Sequence, residues 1–88
     1  MIMEDTLLEF PCEFPLKAIG RGVEDFEAFV VEIVRRHAPD LEADATTSRL
    51  SSGGKYLAVT VTFTAESQAQ LDALYRELSR HKRVVMLL

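Results

Sequence analysis

Leu57-Ala58-Val59-Thr60-Val61-Thr62-Phe63 is the stretch on which the fold turns. Every second residue is large and apolar, and those between are alanine or threonine. An extended chain with this pattern turns one side to a core and shows small residues on the other. It predicts a strand in an antiparallel sheet covered on one face. Just before it, Ser51-Ser52-Gly53-Gly54 supplies turn residues. The partly β-branched segment 42–51, with Thr46, Thr47 and Leu50, makes the other arm of a β-hairpin. Just after it, Thr64 is the expected N-cap of a helix whose apolar stripe is Leu71, Leu74, Tyr75 and Leu78, ending near Arg80-His81. Val84-Val85-Met86-Leu87-Leu88 follows as a last strand, apolar on both faces.

Upstream, Phe14, Leu16 and Ala18 alternate with Pro15, Lys17 and Ile19, which predicts a first strand closed by Gly20. The period then changes. Val23, Phe26, Val30, Ile33, Val34 and His37 recur at three- and four-residue steps, the mark of one helix face over 23–37. Glu24, Asp25 and Glu27 sit at its start and Arg35, Arg36 and His37 at its end, each sign matched to the helix dipole, and Pro39 stops it. Phe29 and Val31 lie off the stripe and predict cover on a second side. Before the first strand, Pro11 ends a leader expected to pack through Leu7, Leu8 and Phe10.

The order β-α-β-β-α-β predicts an α+β, ferredoxin-like sandwich: an antiparallel four-stranded sheet, spatially fourth-first-third-second, with two helices on one face. The polar second strand and the apolar fourth then form its edges. An uncovered apolar edge invites pairing, so self-association or cover by the leader is expected.

The chain has 88 residues, 14 acidic and 10 basic, a net charge of −4, and 48% hydrophobic residues. That bounds it to a single domain over 1–88, with leader 1–13 and core 14–88. One cysteine, Cys12, forms no internal disulfide, and no Cys/His cluster offers a metal site, so a reducing, cytoplasmic setting without cofactor is expected. No apolar run reaches the roughly 18 residues that span a bilayer, and no membrane association is expected. Net acidity argues against nucleic acid. So does the exposed sheet face of Lys17, Ile19, Ala58, Thr60 and Thr62, because RNA-binding domains of this architecture stack bases on aromatic residues there.

The candidate chemistry is sparse. Cys12 with His37 or His81 would be the pair for nucleophilic catalysis, but these residues fall on separate elements and no catalytic residue is assigned. Acylphosphatases hold phosphate with an arginine after the first strand and orient water with an asparagine. Here Arg21 is in place, but the chain contains no asparagine. Gly20-Arg21-Gly22, joining the first strand to the first helix, can present amides to a carboxylate or phosphate, with Lys17 nearby. Ser52-Gly53-Gly54-Lys55 lacks phosphate-loop spacing and reads as a hairpin turn. Arg76, Arg80, His81, Lys82 and Arg83 form a basic cluster that reads first as a solvated patch complementing the helix dipole and second as a docking site for an acidic partner.

Leu8-Glu9-Phe10-Pro11-Cys12-Glu13-Phe14-Pro15-Leu16-Lys17-Ala18-Ile19-Gly20, Val34-Arg35-Arg36-His37-Ala38-Pro39, Ser51-Ser52-Gly53-Gly54-Lys55-Tyr56 and Leu74-Tyr75-Arg76-Glu77-Leu78 resemble, in this order, the YbeD-like family of small bacterial proteins. The resemblance implies a ferredoxin-like fold similar to ACT regulatory domains, which bind amino acids or similar effectors between the first strand and first helix. It carries no established activity. Lys17, Gly20 and His37 fall on the family's motif positions without assigned roles.

The resulting expectation is a non-enzymatic, ACT-like regulatory or protein-interaction module. It would sense a small effector at Gly20, Arg21, Gly22 and Lys17. It would meet a partner protein or a second copy through Lys17, Thr60, Thr62, Arg80 and Arg83. The alternative is a small anion-binding hydrolase or transferase in which Arg21 and Lys17 hold the anion.

Overall fold

In the computed structural model, which describes residues 9–88, the chain runs β1 (Cys12–Gly20), α1 (Phe26–His37), β2 (Thr46–Leu50), β3 (Leu57–Ala65), α2 (Gln68–Ser79) and β4 (Val84–Leu87). The strands form one antiparallel sheet in the order β2-β3-β1-β4. This is the ferredoxin-like arrangement expected from the alternating and helical periods.

The alternation in β3 does what its chemistry predicts. Leu57, Val59, Val61 and Phe63 are buried, and with Leu16 and Ala18 of β1 they floor the core. Phe26, Val30, Ile33 and Val34 of α1 and Leu71, Leu74 and Leu78 of α2 cover that floor. Among the described residues no polar or charged side chain is buried. Of the leader residues expected to pack, Leu7 and Leu8 lie outside the described residues, and Phe10 is partly buried against the core.

Three boundaries differ from expectation. β1 begins at Cys12, which pairs with Ala65, so the strand reaches two residues further back than the alternation alone indicated. α1 begins at Phe26, because the Gly22 carbonyl accepts from the amides of both Asp25 and Phe26 and turns the chain tightly there. Gly22 has φ of +77°, the left-handed region that favours glycine. Thr64 is not the cap of α2, since β3 continues through it to Ala65. Ser67 is the cap: its Oγ accepts from the Gln70 amide at 3.1 Å, while the Gln70 side-chain oxygen accepts from the Glu66 amide at 2.6 Å. This is close to a capping box, and the Ser-x-x-Gln spacing at 67–70 was its signal.

β4 is short. Beyond its end, Leu88 exchanges backbone hydrogen bonds with Lys17, its amide donating at 2.9 Å. Lys17 therefore turns its backbone groups toward β4, and Pro15, two residues earlier, turns the same way into a part of the β1 edge with no strand beside it among the described residues. A proline is tolerated there because no amide hydrogen is required.

Candidate functional site

Opposite the helices the sheet is open, and its register places the side chains in rows. Leu88, Lys17, Thr60 and Thr47 stand side by side, and in the next row stand Met86, Ile19, Ala58 and Arg49. Directly paired residues of an antiparallel sheet share a face, so these are neighbours on one surface. Thr62, opposite Pro15, extends it at one end. At the other end the Arg21 guanidinium lies over the Tyr56 ring, 5.8 Å from its centroid. Met86 and Leu88 are half-exposed or more, at 50% and 60%. The cationic half, around Lys17, Arg49, Thr47 and Thr60, forms a shallow recess of about 360 Å³.

The predicted partner residues thus separate. Lys17, Thr60 and Thr62 lie together on the open face. Arg80 is the C-cap of α2, on the helical side of the molecule. Arg83 turns to the β1–α1 loop: its Nε and Nη2 donate to the Arg21 carbonyl at 3.2 Å, and Nη2 also reaches the Gly22 carbonyl at 3.0 Å and the Asp25 carboxylate. Its guanidinium lies 4.7 Å from the Phe29 ring centroid and 5.5 Å from that of Phe26. Phe29 also makes a T-shaped contact with His81, ring centroids 4.9 Å apart, which accounts for its place off the apolar stripe.

The predicted effector residues Gly20, Arg21 and Gly22 are contiguous with this latch. The Arg21 amide donates to the Arg83 carbonyl at 2.9 Å, so backbone and side chain of Arg83 both bind the loop. Lys17 is four residues back along β1 and on the open face. Cys12 is half-buried at the start of β1, His37 pairs with Glu77, and His81 packs on Phe29, so each has its own surroundings. Among the described residues no group of three His, Cys, Asp or Glu side chains is arranged to hold a metal ion.

Four residues of the open face, Thr47, Arg49, Met86 and Leu88, were missed in the sequence. Arg49 pairs with Ala58, and Met86 pairs with Ile19. The Arg49 position follows from counting back across the hairpin; that of Met86 required the strand order and the irregularity in register at Ile19/Gly20.

A second concavity, of about 480 Å³, lies beyond the C-terminus of α1. Glu13, Asp40, Glu42, Asp44 and Glu66 make its lining acidic. Beside it Glu77 joins the two helices, its Oε1 2.7 Å from His37 Nε2 and its Oε2 2.7 Å from Arg36 Nη1. The His37 hydrogen bond, with the charge of Arg36, holds the Glu77 carboxyl below its ordinary value. Hydrogen bonding by Arg83 does the same for Asp25. Both folded pKa values lie below those of the unfolded chain. The associated stability is therefore fully present above the ordinary carboxylate range and is lost as pH falls through the depressed values. Urea unfolding should give a constant midpoint from neutrality down to about pH 5 and a falling one below about pH 4.5. Glu77→Gln should lower stability by about 1 kcal/mol at neutral pH and flatten that acid decline. An unchanged decline in the variant would assign it elsewhere.

Comparison with known proteins adds the lineage. A family model described as "Protein of unknown function (DUF493)" matches residues 5–88. The chain belongs to the DUF493 family. This is the YbeD-like family to which the leader and helix-end motifs pointed. Among DUF493 relatives, a UPF0250 protein of Chromobacterium violaceum is 49% identical over 85 residues, covering 97% of this chain and 96% of its own. The UPF0250 protein NMC1112 of Neisseria meningitidis is 48% identical over 83 residues, covering 94% and 91%. These names state no activity. The solution structure of protein HP0495 from H. pylori superposes with a TM-score of 0.70 at 13% identity, over 92% of this chain and 85% of that one. At that identity the likeness concerns the fold. Among the described residues no helix is long and apolar enough to cross a membrane.

Proposed function

We propose that this DUF493 chain is a non-enzymatic, ACT-like module that acts by presenting the open face of its sheet to a partner protein. The observation that carries the reading is the makeup of that face. Its small and hydroxylic centre, Thr47, Ala58, Thr60 and Thr62, gives a flat surface that a partner can approach closely. Lys17 and Arg49, which have no ion pair among the described residues, and half-exposed apolar side chains border that centre. Two further facts support a binding role over a catalytic one. The described interior contains no buried polar group, and Cys12, His37 and His81 each have their own surroundings.

A photo-crosslinking residue placed at Thr60, compared in cells with one at Glu32 on the exposed side of α1, tests the reading. Discrete adducts are expected from Thr60 and not from Glu32. No adduct from Thr60, or the same adducts from both sites, would overturn it.

The regulatory half of the proposal concerns Gly20, Arg21 and Gly22. An effector carboxylate there would compete with Asp25 and the loop carbonyls for Arg83, and so would loosen the connection between β1 and α1. Amino acids added to labelled protein should then shift the amides of Gly20 to Phe26 saturably. Spectra unmoved by the whole set of amino acids would remove the sensing role and leave the docking face.

A further inference from the structure

We propose that the occupant of the open face is an acidic, amphipathic segment of the partner protein, whose carboxylates meet Lys17 and Arg49 and whose apolar side chains cover Met86 and Leu88. This rests on the reading of that face as an interaction surface and adds the chemistry of what binds.

The argument begins with charge. The chain carries 14 carboxylate residues against 10 basic ones, yet in the two rows from Leu88 to Thr47 and from Met86 to Arg49 the charged side chains are Lys17 and Arg49, both cationic. Among the described residues neither Lys17 nor Arg49 has an ion pair, although Arg36, His37 and Arg83 all do. Arg21, stacked on Tyr56, adds a third cation at the same end of the sheet. The acidic side chains lie around the concavity beyond α1, along both helices, where Glu27 accepts from Ser48 of β2, and at Glu13, which pairs with Thr64 two rows from Lys17. An acidic segment is therefore attracted to this face; the exposed Arg76, Arg80 and Lys82 near the end of α2 also attract it, and the apolar Met86 and Leu88 beside Lys17 are what favour the open face for an amphipathic one. A basic segment would be steered to the opposite end.

The apolar part is equally localised. Ile19 sits between Met86 and Ala58, and Leu88 borders Lys17, so one half of the face is apolar and the other half cationic. Lys17 and Arg49 stand on strands separated by β3 and one row apart. Strand spacing and rise put their backbones on the order of 12 Å from each other. Two carboxylates about two turns apart on a helix, or about four residues apart on an extended segment crossing the strands, span that distance. A free phosphate or a lone amino acid would meet one cation and leave Met86 and Leu88 exposed, so small anions match the face poorly.

The test uses a helical amphipathic peptide with glutamate on one side and leucine on the other. Its counterpart carries glutamine in place of glutamate, and both are titrated into labelled full-length protein while amide spectra are recorded. Saturable shifts at Lys17, Ile19, Arg49 and Thr60 are expected from the glutamate peptide. The glutamine peptide should bind about tenfold more weakly or worse, and raising salt from about 50 mM to about 300 mM should weaken the glutamate peptide alone. The double variant Lys17→Glu, Arg49→Glu changes only exposed side chains. It should keep the wild-type spectrum elsewhere and lose the binding. Equal affinity for both peptides, shifts centred on another surface, or full binding by the double variant would overturn the proposal. A mass that rises with protein concentration, with the shifts of self-association on this face, would name a second copy as the occupant and overturn it too. The two readings fail separately. Crosslinks from Thr60 that survive in the double variant would refute the acidic chemistry and leave the docking face, whereas their absence in the unaltered protein would remove the face itself.

Discussion

Gly20→Ala is expected to remove about 3 kcal/mol or more of stability, a large part of the roughly 4–13 kcal/mol available to a chain of this size. Gly20 is buried where β1 meets both neighbours, opposite Leu57 on β3 and Val84 on β4, at the irregularity in the β1–β4 register. A methyl group there would run into the Phe26 ring and the Arg83 carbonyl oxygen. Neither can yield easily. Phe26 is fully buried in the core, and the carbonyl is fixed by the Arg21 amide while its residue holds the loop. Gly53→Ala is the internal control, since a methyl group at Gly53 meets nothing within 4 Å. Urea unfolding of the two variants measures the contrast. A loss below about 1 kcal/mol for Gly20→Ala would mean that strand and helix can separate to admit the methyl group, against the close packing assumed.

Arg83→Ala should lower stability by about 2 kcal/mol, and Arg83→Lys should restore less than half of that. The guanidinium serves two carbonyls and a carboxylate while lying over two aromatic rings, which only a flat, forked cation can do at once. The geometry also explains Gly22: besides its positive φ, a methyl group there would strike the Arg83 guanidinium. Hydrogen exchange at the Gly22 to Phe26 amides should quicken in Arg83→Ala while the amides of β3 change little. Lysine performing as well as arginine would show that charge alone does the work.

How much of this was legible in the residues depends on the range of each interaction. The alternation at Leu57–Phe63 and the three-to-four spacing of Phe26, Val30, Ile33 and Val34 are local patterns, and the structure follows both. The cap of α2 was also local, but Thr64 came first in the chain and masked Ser67. Only the pairing of Thr64 with Glu13, far away in sequence, keeps it in the strand. Arg83 was the larger surprise. It stands in a run of basic residues that reads as a solvated patch, and its partners Arg21, Gly22 and Asp25 lie about sixty residues earlier. The open face divided in the same way. Lys17, Thr60 and Thr62 were readable from alternation, whereas Arg49 and Met86 joined them only once the register was known.

Beyond Leu88, a stretch of β1 has no strand beside it among the described residues, and this bears on how copies of this protein behave when crowded. An unpaired strand edge is a template on which another chain can crystallise its own backbone, the first step toward fibrous growth. At the middle of that stretch Pro15 presents a ring where an amide hydrogen would point outward, so an incoming strand finds a gap in its ladder next to the Lys17–Leu88 pair. The sheet can thus keep one wide face open while its neighbouring rim resists templated polymerisation.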